Sequence, residues 1–193
     1  MAQTYAPPVL VFRLLSRSRV TTLLAVPTFA LLTAAAAEIA IPLPFTPVPL
    51  TGQTFAVLLA GAALGWRAGA ASQLLYVALG AIGLPYYAED KGGWEVVTGA
   101  TGGYLVGFIA AAAVVGWLAE RKHDRRFNTT LAAFVIGSFV IYAFGAAGLM
   151  WRAGMEVNEA ILLGVVPFVF GDVLKAAAAG ALLPATWRLV GDR

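Results

Sequence analysis

The sequence predicts an all-α fold, namely an integral membrane bundle of six transmembrane helices. Of its 193 residues, 60% are apolar and only 12% are charged, whereas a soluble domain carries about 25% charged residues. The apolar residues gather into segments, most of which approach the roughly 20 residues that a helix needs to cross a bilayer. Basic residues flank these segments, so the net charge of +3 indicates membrane topology and no nucleic-acid partner.

No linker or shift in composition divides the chain, so we predict a single transmembrane domain over residues 1–193. The second segment is short for a full crossing, and tilting it or adding part of the preceding loop would make up the length. The predicted spans are 22–41, 53–66, 68–84, 99–119, 129–150 and 160–187.

Small residues form part of the first span, including Ala30 and Ala34, which are four positions apart. Such faces let two helices approach closely. Glu38 follows near the outer end of this span, where we interpret it as a solvated carboxylate at the membrane interface.

The loop over residues 42–52 is rich in proline, with four prolines in the eight residues 42–49. Proline excludes a helix there and favours a stiff, extended segment. Because the loop is also apolar, it belongs at the membrane surface. Two interpretations stay open, a lid over a ligand site and a tight connector between two spans.

The loop over residues 86–95 mixes aromatic residues, charges and glycines, and it includes Tyr87 and Trp94. Such aromatic residues are usual at a membrane boundary, but they can also line a ligand pocket. Small residues, with Thr101 among them, precede Tyr104 and permit close approach of a helix or a ligand. They form neither a dinucleotide fingerprint nor a phosphate-binding loop.

Asp172 and Lys175 are the only acid and base inside the sixth span. Each charge costs about 2.5–3.5 kcal/mol at the centre of a bilayer, so such residues usually pair and mark a functional site. Their spacing of three places them on nearly the same face of a helix. Pro167 precedes them and predicts a bend. The alternative is a self-neutralising pair that holds helices together.

Charge placement predicts that both chain termini are cytoplasmic. With that orientation, ten basic residues lie on the cytoplasmic side and two, Lys91 and Arg152, on the outer side. The ten are Arg13, Arg17, Arg19, Arg67, Arg121, Lys122, Arg125, Arg126, Arg188 and Arg193. The loops 42–52 and 86–95 then share the outer face above Asp172 and Lys175, which indicates a site that opens outward.

The available side chains suit binding better than catalysis. An ammonium and a carboxylate together fit an acidic, amide-bearing small molecule. Cysteine is absent and His123 is the single histidine, so we expect no metal site built from these residues, no catalytic residues and no cofactor. Without a nucleotide motif, energy for uphill transport would have to come from another protein.

Four blocks of sequence resemble, in the same order, the biotin-specific substrate-binding (S) components of energy-coupling factor (ECF) transporters. They are residues 47–53 (PVPLTGQ), 79–85 (LGAIGLP), 99–108 (GATGGYLVGF) and 170–175 (FGDVLK). The resemblance covers roughly residues 34–179. It implies the six-helix S-component fold in a bacterial plasma membrane and biotin uptake through an outward-facing pocket gated by the loop 42–52.

The resemblance also implies that Asp172 and Lys175 contact biotin through its ureido ring or its carboxylate. The further residues that we predict to bind substrate are Tyr104, Gln53, Tyr87, Trp94 and Thr101.

The resemblance implies partners as well. Ala30 and Ala34 would dock the transmembrane coupling subunit, which works with two cytoplasmic ATPases, and membrane lipid surrounds the bundle. A homo-oligomer is left open. The alternatives are an S component for another vitamin and a membrane assembly protein without a ligand.

Overall fold

The computed structural model describes residues 9–15 and 18–191, and helices dominate this part of the chain. The helices are α1 (Leu10–Leu14), α2 (Arg19–Ala37), α3 (Gln53–Ala81), α4 (Trp94–Thr98), α5 (Gly102–Ala119), α6 (Phe127–Arg152), α7 (Val157–Gly164) and α8 (Val166–Val190). Two short strands, β1 (Ala40–Ile41) and β2 (Leu50–Thr51), pair antiparallel. Arg17 and Arg193, which entered the charge count, lie outside the described residues.

Five of these helices, α2, α3, α5, α6 and α8, are long and apolar enough to cross a membrane. One of them, α3, reverses direction inside its 29 residues. The amide of Gln53 donates a hydrogen bond to the hydroxyl of Tyr76, although residues 23 positions apart in a straight helix would be about 35 Å apart. The arms 53–64 and 66–81 therefore fold back on each other, so that the bundle contains six apolar helical segments.

The reversal occurs at a single residue, Gly65. Its φ of 81° and ψ of 175° lie in a region that is essentially restricted to glycine. A Cβ atom at this position would stand 2.5 Å from Oε1 of Glu120. The same carboxylate oxygen accepts a hydrogen bond from the backbone N–H of Trp66 at 3.2 Å. The turn lies one residue before the predicted end of the second span.

The sixth predicted span, 160–187, is two helices in the structure. The chain leaves helical geometry at Val165, with φ −126° and ψ −58°, between α7 and α8. Pro167 is the second residue of α8, where its missing N–H is best tolerated. The bend predicted at Pro167 is therefore a break in the helix at Val165, two residues earlier. The first span differs as well, because residues 40–41 pair as strand β1 instead of extending α2.

Small residues allow close packing around α5, which contacts both α3 and α6. The core that results includes the fully buried side chains of Tyr76, Phe134 and Ile141. Buried polar residues pair within it, because the hydroxyl of Thr33 and the amide of Gln73 are hydrogen-bonded between α2 and α3. Such pairing removes the cost of burying polar groups in an apolar interior.

At one end of the bundle, polar contacts join residues that are far apart in the sequence. Nη2 of Arg13 donates to the carbonyl oxygen of Gly191 at 3.2 Å. The indole N–H of Trp187, near the end of α8, donates to Oδ2 of Asp124 at 2.6 Å. Arg125 pairs with the same carboxylate, and its guanidinium lies 3.2 Å from the centre of the Trp187 ring.

Candidate substrate-binding site

A cavity of about 750 Å³, including its open mouth, lies among the proline-rich segment, the 82–93 connection and helices α3, α5, α6 and α8. The lining is mostly apolar and includes Val48, Phe108, Ile141 and Phe168. Charged lining residues are Asp172 and Lys175 on α8, and Glu89 and Lys91 in the 82–93 connection.

Asp172 and Lys175 form an ion pair on one wall of this cavity. Nζ of Lys175 lies 2.7 Å from Oδ1 of Asp172, and the Asp172 side chain is only 5% exposed. The Lys175 ammonium also donates to Oγ1 of Thr54 at 2.7 Å and to the carbonyl oxygen of Thr51 at 2.8 Å. All three ammonium hydrogens therefore have acceptors, and the pair is close to neutral as a unit.

Two further side chains complete the site and were missed at the level of the sequence. The hydroxyl of Thr54 donates to Oδ1 of Asp172 at 2.8 Å, and the hydroxyl of Tyr142 donates to Oδ2 at 2.6 Å. The available signals were a threonine directly after the 47–53 block and a tyrosine in the middle of the apolar helix α6. Neither signal shows which way the side chain faces.

Tyr104, Tyr87, Gln53 and Thr101 all line the cavity. The hydroxyl of Tyr104 is already used, because it donates to the carbonyl oxygen of Gly164 at 2.6 Å. Its ring lies so close to Gly145 that a Cβ atom there would be 2.3 Å away. The hydroxyl of Tyr104 is thus hydrogen-bonded within the protein, and its role in binding substrate stays a prediction.

The polar groups of Tyr87 and Gln53 are also hydrogen-bonded within the protein. The hydroxyl of Tyr87 donates to the carbonyl oxygen of Val77 at 2.7 Å. Burial raises the pKa of Tyr87 to about 12, so its hydroxyl stays protonated at neutral pH. Oε1 of Gln53 accepts from the hydroxyl of Thr51 at 3.0 Å, and its amide donates to Tyr76.

Trp94 does not line the cavity. It begins α4 directly after Gly93, whose φ is 98°, and its side chain is 67% exposed. The prediction that Trp94 contacts substrate therefore has no basis in this conformation. An exposed indole fits a membrane-boundary position instead.

Ala30 and Ala34 are likewise not on an outer surface. They are 1% and 7% exposed, since this face of α2 packs against the protein itself. Their small size serves packing within the chain, so these two residues do not offer the docking face that the sequence suggested. The outward face of α2 instead carries larger apolar residues such as Leu24 and Leu31.

The proline-rich segment 42–49 forms part of the cavity wall. The pairing of Ala40 with Thr51 and of Ile41 with Leu50 closes its base. Pro47, Val48 and Pro49 face the cavity. The hydroxyl of Thr46 reaches across to the carbonyl oxygen of Leu163, at 2.9 Å, where α7 ends.

These features define a class, a multi-pass membrane protein with a six-segment helical bundle that encloses a mostly apolar cavity with an ion pair on its wall. A solved structure titled "Crystal structure at 2.1 A of the S-component for biotin from an ECF-type ABC transporter" shares this fold. Its TM-score is 0.79 over 90% of this chain and 95% of the other, at 23% identity. The BioY family model matches residues 11–192. The chain belongs to the BioY family.

Curated relatives are similar over most of their length. Biotin transporter BioY of Thermotoga maritima is 44% identical over 142 residues, which is 74% of this chain and 82% of that protein. Biotin transporter BioY of Rhizobium etli is 40% identical over 149 residues, 74% of this chain and 79% of the relative. The Rhodobacter capsulatus protein of the same name is 42% identical, with 73% and 79% covered.

Proposed function

We propose that this protein takes up biotin as the substrate-binding membrane subunit of an ECF-type transporter. The relatives are named biotin transporters, and the structure with the same fold is titled an S component for biotin. The observation that carries the proposal is the Asp172–Lys175 pair, which lies on the wall of a mostly apolar cavity.

The chemistry of the pair favours the ureido end of biotin. A cyclic urea is neutral and offers two N–H donors and one carbonyl acceptor, which match a carboxylate and an ammonium. The carboxylate of biotin would instead meet Asp172, a like charge, at this depth. We therefore propose that the ureido ring binds Asp172 and Lys175, while the valerate carboxylate points away from Asp172 and towards Lys91, whose side chain is 60% exposed.

The proline-rich segment is proposed to close over bound biotin. Pro47, Val48 and Pro49 already cover one side of the cavity. The segment is not the extended stretch that the prolines predicted, because it turns between Leu43 and Thr46. Prolines at four of its eight positions fix φ, so the segment loses little entropy when it closes.

Energy coupling would come from partner subunits, because the sequence has no phosphate-binding loop. Of the candidate spans among the described residues, α2 and α8 are the least buried by the rest of the chain. We propose that the coupling subunit covers the outward apolar face of α2, and that lipid covers it otherwise. Leu31→Trp should then prevent copurification with the coupling subunit and leave biotin binding unchanged.

Titration calorimetry of the purified protein with biotin tests the function directly. We expect saturable binding of one biotin per chain and no comparable binding of thiamine, riboflavin or niacin. Binding of one of those vitamins but not biotin would assign the protein to another substrate.

A second candidate is a helix staple, and the complete hydrogen bonding of Lys175 within the protein favours it. Replacing a buried ion pair by apolar residues of similar volume is often neutral or stabilising. If Asp172→Leu combined with Lys175→Met keeps wild-type affinity for biotin, the pair is a staple; if binding is lost while the fold persists, the pair is a site.

A further inference from the structure

The carbonyl oxygen of Leu163 has lost its usual donor. In a continuous helix it would accept from the backbone N–H four residues later, but that residue is Pro167, which has no N–H. The hydroxyl of Thr46 supplies the missing hydrogen bond at 2.9 Å, from 117 positions away in the sequence. The donor thus comes from the proline-rich segment that borders the cavity.

The neighbouring carbonyl oxygen, that of Gly164, likewise accepts from a side chain instead of from a helical N–H. The backbone N–H of Phe168 donates to Val165 at 3.0 Å rather than to Gly164, and the hydroxyl of Tyr104 donates to Gly164. Side chains therefore supply donors to both of these carbonyls beside the break. Tyr104 belongs to the packed helix α5, whereas Thr46 belongs to a loop in which half of the residues 42–49 are exposed.

Thr46 also organises its own segment. Its backbone N–H donates to the carbonyl oxygen of Leu43 at 3.3 Å, and its hydroxyl accepts from the backbone N–H of Val48 at 3.3 Å. Val48 is 7% exposed and lines the cavity. One side chain therefore links the turn of the segment, a cavity-lining residue and the break between α7 and α8.

We propose that the Thr46 hydroxyl and the Leu163 carbonyl form a latch, which Pro167 makes possible and which holds the segment 42–49 over the ligand cavity. Thr46 and Pro167 are then positioning residues for the site. Opening the segment breaks the latch, and Pro167 prevents the helix from satisfying Leu163 by itself. This inference rests on biotin binding only for its kinetic consequences; the latch itself is a property of the ligand-free protein.

The first test uses the ligand-free protein and Thr46→Val, which keeps the shape of the side chain but removes the donor. We expect backbone hydrogen exchange over residues 43–51 to become about fivefold faster, whereas Thr46→Ser should restore the slow rate. Thr186→Val is the matched control, because the Thr186 hydroxyl donates to a helical carbonyl of α8 at 2.9 Å, away from the segment. Unchanged exchange in Thr46→Val would overturn the latch whatever the protein binds.

The second test measures biotin kinetics. Because a latch controls opening in both directions, Thr46→Val should raise the association and dissociation rate constants about fivefold each, with less than a twofold change in Kd. A residue that only contacts the ligand would change dissociation alone. Faster exchange in a protein that does not bind biotin would keep the latch and refute the proposed function.

Pro167→Ala completes a double-mutant cycle, since it gives Leu163 a helical donor and makes Thr46 dispensable. We expect Pro167→Ala to raise both rates, and Thr46→Val to add nothing in that background. Full additivity of the two substitutions would show that they act independently and would overturn the proposal.

Discussion

Tyr142 and Asp172 are joined by a hydrogen bond of 2.6 Å, in which the phenol of α6 donates to Oδ2 of the carboxylate on α8. The other oxygen of this carboxylate accepts from Thr54 and Lys175. Three elements thus fix the plane of one buried acid, and the orientation is set before any ligand arrives. Such preorganisation reduces the cost of ordering side chains on binding.

Removing the Tyr142 hydroxyl should therefore weaken binding without unfolding the protein. We expect Tyr142→Phe to raise the Kd for biotin about tenfold, about 1.4 kcal/mol, because a hydrogen bond to a charged group is lost. Tyr86→Phe is the control, since Tyr86 lies outside the cavity lining. Equal affinities of the two variants in calorimetry would contradict a role for Tyr142.

The ion pair itself can be tested one partner at a time. Asp172→Asn or Lys175→Ala should each weaken biotin binding at least about tenfold, or 1.4 kcal/mol, because each leaves the other charge uncompensated. Lys122→Ala, in the α5–α6 connection, should bind like the wild type. Wild-type affinity in the Asp172 and Lys175 variants would show that the ligand lies elsewhere.

The reversal at Gly65 predicts an unusually costly glycine substitution. Gly65→Ala should reduce the free energy of unfolding by about 2–3 kcal/mol, because the residue is confined to glycine geometry and its new Cβ meets Glu120. Gly154→Ala is the control, with φ of +67° and open space around it, and should cost about 1 kcal/mol. Thermal unfolding in detergent measures the loss of stability of both variants. Equal losses would contradict the close contact of residue 65 with Glu120.

Single cysteines can establish the orientation in the membrane, because the natural sequence contains none. We expect Trp66→Cys and Trp117→Cys to react with impermeant reagents only from the cytoplasmic side. Trp94→Cys and Trp151→Cys should react from outside. All four side chains are at least 41% exposed. Labelling of positions 66 and 94 from one side would mean that residues 66–81 do not cross the membrane.

Asp124 predicts a pH dependence of stability. Burial raises the pKa of its carboxyl, and the hydrogen bond from Trp187 and the charge of Arg125 only partly oppose this. The folded state then holds this proton more readily than the unfolded state, so the contribution of Asp124 to stability falls as pH rises through the raised value. The melting temperature of the wild type relative to Asp124→Asn should therefore rise as the pH is lowered from neutral towards the ordinary pKa of an aspartate. A difference that does not change with pH would contradict the shift.

Much of the fold follows from hydropathy, because long apolar segments without charges have few alternatives to membrane helices. Gly65 and Pro167 mark the two breaks for equally local reasons, a glycine-only conformation and a missing donor. The direction in which an individual side chain points does not follow from hydropathy. Ala30 and Ala34 have the spacing of a docking face but pack inward, since spacing defines a face and not its neighbour.

The candidate site, too, is only partly predictable from the sequence. The cost of charge in a bilayer singles out Asp172 and Lys175 from sequence alone. Their partners Thr54 and Tyr142 are 118 and 30 positions from Asp172, and only tertiary packing brings them together. Trp94 has the aromatic character of a pocket residue, but it is 67% exposed and does not line the cavity, which its residue type alone does not reveal.

The hydrogen bond between Arg13 and Gly191 has a practical consequence for protein engineering. It brings the first described helix and the end of the last one within reach of a short peptide, so the part of the chain between them forms almost a closed ring. A circularly permuted gene could join these two points and start instead within the 152–157 connection, whose glycine at 154 has open space around it. Such a permutant would carry fusion tags on the opposite end of the bundle.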